Sequence, residues 1–465
     1  MTRFSLRSIE FLERQVRLRM PFRFGVVTLT ESPQAFARVR IRLQDGNLGG
    51  REAEGAAAEL LAPKWFDKNP ALSNEDNYAQ LRSALAIARE AYLAGDANTA
   101  FGHWRAHYAG QIDAGAKLGL NSLTACYGPA LIDRAALDAL CRALGISFYE
   151  AVQRNLIGAG MLEGLDLPAF FATLKPAPQI AARHTVGLVD PITARDLTVR
   201  VGDGLPETLE EVVARYGQRY FKLKVAGDAQ LDLERLAKIA AVLDRMKQPY
   251  YASLDGNEQY ESMAGVAELW RRMQADRRLA RLVASILFIE QPVKRSHALE
   301  RPVTGIDKPV IIDESDDSLQ AFPRAKSLGY AGVSSKTCKG LYKSLFNRAR
   351  CARWNAEAKA ERYFMSGEDL TIQPGLALQQ DLALVSLLGI THVERNGHHY
   401  VNGMAGLPRG EQEAFLAAHP DLYESSHGAA RVRIKDGMLA IGSLGCHGFA
   451  SAAMPQWDQM QRMTL

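Results

Sequence analysis

The stretch Tyr220-Phe-Lys-Leu-Lys-Val225 alternates large apolar residues with lysines. Three runs of the same kind follow it: Tyr250-Tyr-Ala-Ser-Leu-Asp255, Ile286-Leu-Phe-Ile-Glu290 and Val310-Ile-Ile-Asp-Glu314. Each is rich in β-branched or aromatic residues and closes on a charged side chain, which reads as a strand carrying chemistry at its C-terminal end. A fifth run, Tyr330-Ala-Gly-Val-Ser-Ser-Lys336, continues the series. From Lys224 through Asp255, Glu290 and Asp313 to Lys336 the intervals are 31, 35, 23 and 23 residues. That is close to one strand plus one helix per step in a barrel of about 250 residues and eight units. Leu231 to Lys247 and Gly265 to Ala280 place apolar residues at three- and four-residue spacing among charged ones, so two of the gaps read as amphipathic helices. Strand-ending charges alternating with helices predict an α/β fold, a TIM-type barrel with its chemistry on the C-terminal face.

The 465 residues exceed one core, which stops growing at about 250 to 300 residues, so a second domain is expected. Residues 8 to 58 alternate apolar and polar positions, as in Ala35-Phe-Ala-Arg-Val-Arg-Ile-Arg-Leu43, then turn at Asp45-Gly-Asn47, the pattern of an antiparallel meander. Helical patterning takes over from Asn77 and includes Ala130 to Gly145, where the glycine stands at a C-cap. Residues 1–165 are therefore expected to form an α+β capping domain. The connector Leu174-Lys-Pro-Ala-Pro178 leads to His184-Thr-Val-Gly-Leu-Val189 as first strand, and a barrel over 175–400 closes through Tyr363-Phe-Met-Ser-Gly367 and Thr391-His-Val-Glu394. In 401–465, Ala430 to Ile441 reads as a hairpin with an Asp436-Gly turn that has no place in a closed eight-stranded barrel, and is expected to return to the cap.

Composition narrows the function. Net charge is only +4, from 56 basic and 52 acidic residues, with no basic block interleaved with aromatics, so nucleic acid is not the expected partner. No stretch of 18 uncharged apolar residues suggests a membrane span, and Met1 to Met20 holds several arginines without the apolar core of a secretory signal, so the cytoplasm is expected. Five widely spaced cysteines form no C-x-x-C pair and read as reduced thiols. A small-molecule substrate remains.

Asp255, Glu290 and Asp313 would supply three hard anionic oxygens from adjacent strands, the set that Mg2+ or Mn2+ favours. Lys222 and Lys224 are two apart on one strand and point to the same inward face; together near a cation, each is expected to lower the other's pKa toward the range of a base. Lys336, four strands further round than Lys224, faces it across the barrel mouth. Two opposed lysines beside a metal suit proton transfer at a carbon next to a carboxylate, where fixed positive charge must stabilise the enolate formed. One lysine removes the proton, and the other returns it or stabilises the anion.

At these residues the chain resembles the enolase superfamily, in the branch of mandelate racemase and the muconate lactonizing enzymes. The resemblance rests on Lys222-Leu-Lys224, Asp255-Gly-Asn257, Glu290-Gln-Pro292, Asp313-Glu-Ser315 and Lys336 in that order, with Ala136 to Gly145 similar to the family's helix leading into the barrel and Asp436-Gly-Met-Leu439 to its C-terminal return. It implies a modified (β/α)7β barrel with a cap completed by the C-terminal segment. It also implies a Mg2+ site at Asp255, Glu290 and Asp313, Lys224 and Lys336 as the acid/base pair, and Lys222 as electrostatic support. A lysine on the sixth strand is the muconate lactonizing arrangement, and Tyr363 to Thr371 lacks the histidine of the mandelate racemase one. Racemisation, epimerisation or cycloisomerisation of a small carboxylic acid is implied, with a dehydratase or ammonia-lyase outcome, or a silent barrel, as alternatives. A homo-oligomer is expected by the same analogy. Three features depart from the family: His392-Val-Glu-Arg-Asn396 lacks the Asp-x-Asp of dipeptide epimerases, Thr-Cys-Lys-Gly340 follows Lys336, and the cap is enlarged around Asn77 to Leu118.

Asn257 and Glu314, beside the ligand positions, are further candidates for contact with substrate. Glu368 and Asp369 read either as contacts to substrate or to the Lys336 ammonium, or as an acidic pair at a helix N-terminus. By the resemblance, Met20 to Val27 and Gly50 to Phe66 supply the specificity loops, whose Phe22, Phe24, Trp65 and Phe66 suit a substrate with a hydrophobic part. His398 and His399 are weaker candidates for the pocket wall, and His103 and His107, four apart on a helix, read as packing residues. A glycosidase would leave Lys224 and Lys336 idle.

Overall fold

Two long strands, Phe4–Phe24 and Val27–Leu43, pair antiparallel and are joined by Glu52–Leu60 into the expected meander. They open the computed structural model, which describes residues 1–25, 27–370 and 373–465. Helices Asn74–Ala94, Ala100–Lys117 and Tyr127–Leu144 complete the cap. Ser73 caps the first of these, its hydroxyl accepting from Asp76 N while Asp76 returns the bond to Ser73 N. The third helix is buried along almost its whole length, pressed onto the sheet at Gly55, where a β-carbon would come within 2.1 Å of Ala139 N. It ends at Gly145 (φ 67°), as the sequence predicts.

The barrel strands are Gln179–Val186, Tyr220–Lys224, Tyr251–Asp255, Ile286–Glu290, Val310–Ile312, Gly332–Ser335, Phe364–Gly367 and His392–Glu394, all parallel to their neighbours. The eighth pairs with the first, Val393 opposite Ala182, and closes the ring. Each of the first seven strands is followed by a helix, whereas Arg409–Ala418 after the eighth packs on the hairpin of Tyr423–Ser426 and Ala429–Val432. Among the described residues no helix is long and apolar enough to cross a membrane.

The C-terminal segment departs from its expected pairing. Ala429–Val432 pairs backward with Tyr423–Ser426 rather than forward across Asp436-Gly437, and Met438–Ala440 adds antiparallel to the first barrel strand. The Asp436-Gly437 turn is tight, with both φ positive and Lys435 bridged to Met438, but beyond it lies a barrel edge. The return to the cap comes later: Phe449 N donates to Asp138 Oδ1 at 2.6 Å, and Gln461–Arg462 pairs with Leu12 and Glu13 on the edge of the cap sheet. Met20 to Val27 forms no loop up to Phe24 but the end of the first long strand.

Candidate active site

Strand register builds the site. Lys224 stands opposite Asp255, and Asp255 opposite Glu290, one row across three parallel strands. Side chains in one row share a face, and the two-residue period puts Lys222 on that inward face as well. Asp313 follows the fifth strand and Lys336 the sixth. All six side chains are buried.

Ion pairs tie the set together. Lys224 Nζ lies 2.6 Å from Asp255 Oδ2 and 2.6 Å from Asn257 Oδ1. Lys336 Nζ lies 2.7 Å from Asp313 Oδ2. Lys222 Nζ sits among four carboxylates: Asp255 at 2.8 Å, Glu290 at 2.9 Å, Glu368 at 2.7 Å and Glu394 at 3.1 Å. Burial pushes the Lys222 ammonium down, but these charges overcome it and hold its pKa well above the usual lysine value. The expected depression of Lys222 by Lys224 is therefore overturned, because four anions outweigh one cation. Lys336 is likewise raised, burial being outweighed by Asp313. Burial favours neutral Asp313, yet Lys336 and Lys339 hold it below the carboxylate range. Glu290 stays well above that range through burial and the charges of Asp255 and Glu368.

Lys222, Lys224, Asn257 and Lys336 line one cavity with Glu394. The cap roofs it with Phe22, Phe24, Leu29, Ala62 and Trp65. Phe66 instead packs edge-on against Tyr127 at 5.3 Å. Glu368 contacts Lys222 and Arg183, not Lys336. Glu314 Oε1 receives Lys68 Nζ at 3.0 Å. His398 and His399 do not reach the cavity: His398 Nε2 pairs with Val432 O at 3.1 Å, and His399 packs on His184 at 5.3 Å. His103 packs as expected, its Nε2 2.8 Å from Phe4 O.

Several contributors escaped sequence reasoning. Glu394 ends the eighth strand, where Thr185 Oγ1 and Lys222 donate to it; its place after two strand residues was the available signal. Lys339 Nζ donates to Ser334 Oγ at 2.8 Å and lies 3.2 Å from Asp316. Lys68 and Arg295 pin the cap to the barrel mouth: Lys68 reaches Glu258 at 2.6 Å, and Arg295 donates to Glu258 and to the carbonyls of Trp65 and Phe66, each at 2.8 Å. Against the cost of burial, these two cations hold the Glu258 carboxyl at about 2. A depressed carboxyl stabilises the fold above its unfolded pKa and loses that contribution as pH falls through the folded one. Glu258→Gln is accordingly expected to lower the urea midpoint at pH 7, and the gap from wild type to narrow between about pH 4.5 and 2; a gap independent of pH would refute the latch.

The donor chemistry of Asp255, Glu290 and Asp313 fits a hard divalent cation. Glu290 Oε2 is buried without a hydrogen bond, although Lys222 Nζ is 2.9 Å away, and its raised pKa marks uncompensated negative charge. As the side chains stand, no three acidic, histidine or cysteine groups among the described residues already converge as a cation cage. Lysine ammoniums take the carboxylate oxygens instead.

Residues 204–362, which carry the second to sixth strands and all six of these side chains, match the enolase C-terminal domain-like family. The whole chain has the fold of enolase-superfamily barrel enzymes, as the resemblance of its strand-end motifs implies. Among solved structures, muconate lactonizing enzyme from Pseudomonas fluorescens, complexed with muconolactone, is 16% identical over 98% of this chain and 97% of that one (TM-score 0.59). The L-Ala-D/L-Glu epimerase from Bacillus subtilis is 16% identical over 97% and 100% (TM-score 0.57). An enolase from Bradyrhizobium, complexed with magnesium and mandelic acid, is 16% identical over 94% of each chain (TM-score 0.58). No curated protein matches the sequence.

Proposed function

We propose that the chain abstracts the proton α to the carboxylate of a small carboxylic acid, with racemisation, epimerisation or cycloisomerisation as the outcome. The observation that carries this reading is that Lys224 and Lys336, from opposite sides of the barrel, line one cavity while each holds a different buried carboxylate of the candidate metal set. Held by Asp255, Glu290 and Asp313, a magnesium ion would supply fixed positive charge for the substrate carboxylate and oppose the ammonium charges beside it. Lys224 is placed to take the proton, with Asn257 Oδ1 orienting its Nζ. Lys336, kept charged by Asp313, is placed to donate a proton on the other face or to stabilise the developing anion. Lys222 anchors Asp255 and Glu290 and stays out of the proton transfer. The cap excludes water and presents an apolar wall, which suits a substrate with a hydrophobic part.

Exchange of α-protons in deuterated water, followed by proton NMR over pools of N-acyl amino acids, hydroxy acids and sugar acids with Mg2+, tests the proposal. Exchange that stops when the metal is chelated is the expected result. Exchange that survives chelation would overturn the metal assignment, and none in any pool would overturn the reading of the reaction.

A further inference from the structure

Lys222 stands between two pairs of carboxylates from opposite walls of the barrel. Its Nζ lies 2.8 Å from Asp255 Oδ2 and 3.0 and 2.9 Å from the two oxygens of Glu290, at the ends of the third and fourth strands. Glu368, just after the seventh strand, and Glu394, at the end of the eighth, approach the same ammonium at 2.7 and 3.1 Å. In the closed ring the seventh and eighth strands face the third and fourth. Glu368 is also held from behind. Its Oε1 accepts from Arg183 and Ser366, which leaves Oε2 to Lys222. Arg183 is fixed in turn: Nη2 donates to Gly367 O at 2.8 Å, Nη1 donates to Ser366 Oγ at 3.1 Å, and the guanidinium lies 5.5 Å from the Phe288 ring. Glu394 lines the cavity, whereas Glu368 is buried and not among the lining residues. The proton transfer gives this fixed carboxylate no task.

A divalent ion on Asp255 and Glu290 needs the oxygens that Lys222 occupies, and an ammonium kept on them would oppose it at close range, where like charges in a buried site repel strongly. Resting on the reading of Asp255, Glu290 and Asp313 as a metal set, we propose that Glu368 is a positioning residue for that centre. Its carboxylate, fixed by Arg183, is the counter-charge to which the Lys222 ammonium withdraws when Asp255 and Glu290 exchange it for the ion. The ammonium already bonds both walls, so the exchange gives up contacts to one while keeping those to the other. Lys222 thereby neutralises the ligands before the ion arrives and the opposite wall afterwards.

Mg2+ binding to the metal-free protein, measured calorimetrically in a double-mutant cycle, tests this. Glu368→Gln keeps the shape and removes the charge. It is expected to weaken Mg2+ binding at least about tenfold, the scale of a hydrogen bond between charged groups. In a Lys222→Met background there is no ammonium to receive, so the same substitution should change affinity by no more than about twofold. A residue that merely shaped the barrel would lower affinity equally in both backgrounds. If Glu368→Gln does not fold, Glu368→Asp, which keeps the charge but draws it back by one methylene, enters the same cycle. A loss of at least about threefold is then expected with Lys222 present and none in the Lys222→Met background. If Lys222→Met does not fold, Lys222→Gln takes its place. No loss with Lys222 present, or an equal loss in both backgrounds, overturns the role of Glu368 and leaves the metal assignment standing. No Mg2+ binding by wild type, or binding that Asp313→Asn leaves unchanged, overturns the metal assignment and this proposal with it.

Discussion

Lys224→Ala is expected to lower α-proton exchange by about 10³-fold or more, with the fold and divalent-ion binding retained. A positioned general base or acid contributes about 10² to 10⁴ in rate, and the alanine also removes the group that Asn257 Oδ1 orients at 2.6 Å. Lys224 is 5% exposed and lies at the cavity wall, and its removal leaves Asp255 still paired with Lys222 at 2.8 Å. The expected loss is therefore in turnover rather than in stability. Lys336→Ala serves as the companion. If exchange disappears in both variants, both lysines take part; if only one of two epimeric substrates stops exchanging in each, the lysines serve opposite faces. Retention of more than a tenth of wild-type exchange in Lys224→Ala would remove it from the chemistry.

Lys222→Met is expected to act on stability first. The side chain is the common counter-charge of Asp255, Glu290, Glu368 and Glu394, and breaking a buried pair by removing one partner costs about 3 to 5 kcal/mol. The sign of the pH dependence follows from the carboxyls. With the ammonium present, Asp255 and Glu394 are depressed despite their burial, so their stabilisation exists above the ordinary carboxylate pKa and fades as pH falls through the lower folded value. Without Lys222 the clustered carboxylates bind protons more readily, so the deficit of the variant is largest near neutral pH and shrinks below about pH 5. Urea unfolding at pH 7.5 and 5 measures this. A deficit equal at both values, or none at pH 7.5, contradicts Lys222 as the electrostatic anchor.

What the sequence made legible follows from periodicity. Lys224, Asp255 and Glu290 end strands of two-residue period, with Lys222 one period before Lys224, and a parallel register carries that period from strand to strand, so their convergence could be read before any coordinates. The meander, the helix ending at Gly145 and the strand order were legible for the same reason. Arg183 was missed because the first strand, Gln179–Val186, starts before the His184 from which it was read. Glu394 sits in a strand of three residues, His392–Glu394, too short to display a period. Lys68 lies on an irregular connection and Arg295 opens a helix of only four residues, Arg295–Ala298, where no pattern says which way a side chain reaches. The pairing of Met438–Ala440 escaped because a turn such as Asp436-Gly437 specifies a reversal without naming the strand that receives it. His398 and His399 looked available beside the eighth strand, yet both are buried, and burial pushes the His398 imidazole down to about 4.

Leu12 pairs in the cap sheet with Arg462, near the far end of the sequence, and Met463 N donates to Phe11 O at 3.0 Å. During synthesis the barrel strands between Gln179 and Glu394 have therefore all left the ribosome before the edge of the first-made sheet gains its last partner. The nascent chain carries an open β-edge, competent for pairing with a neighbour, through most of translation. Completion of the cap sheet is thus a late event in biogenesis, and a message cut short of residue 462 leaves that edge open.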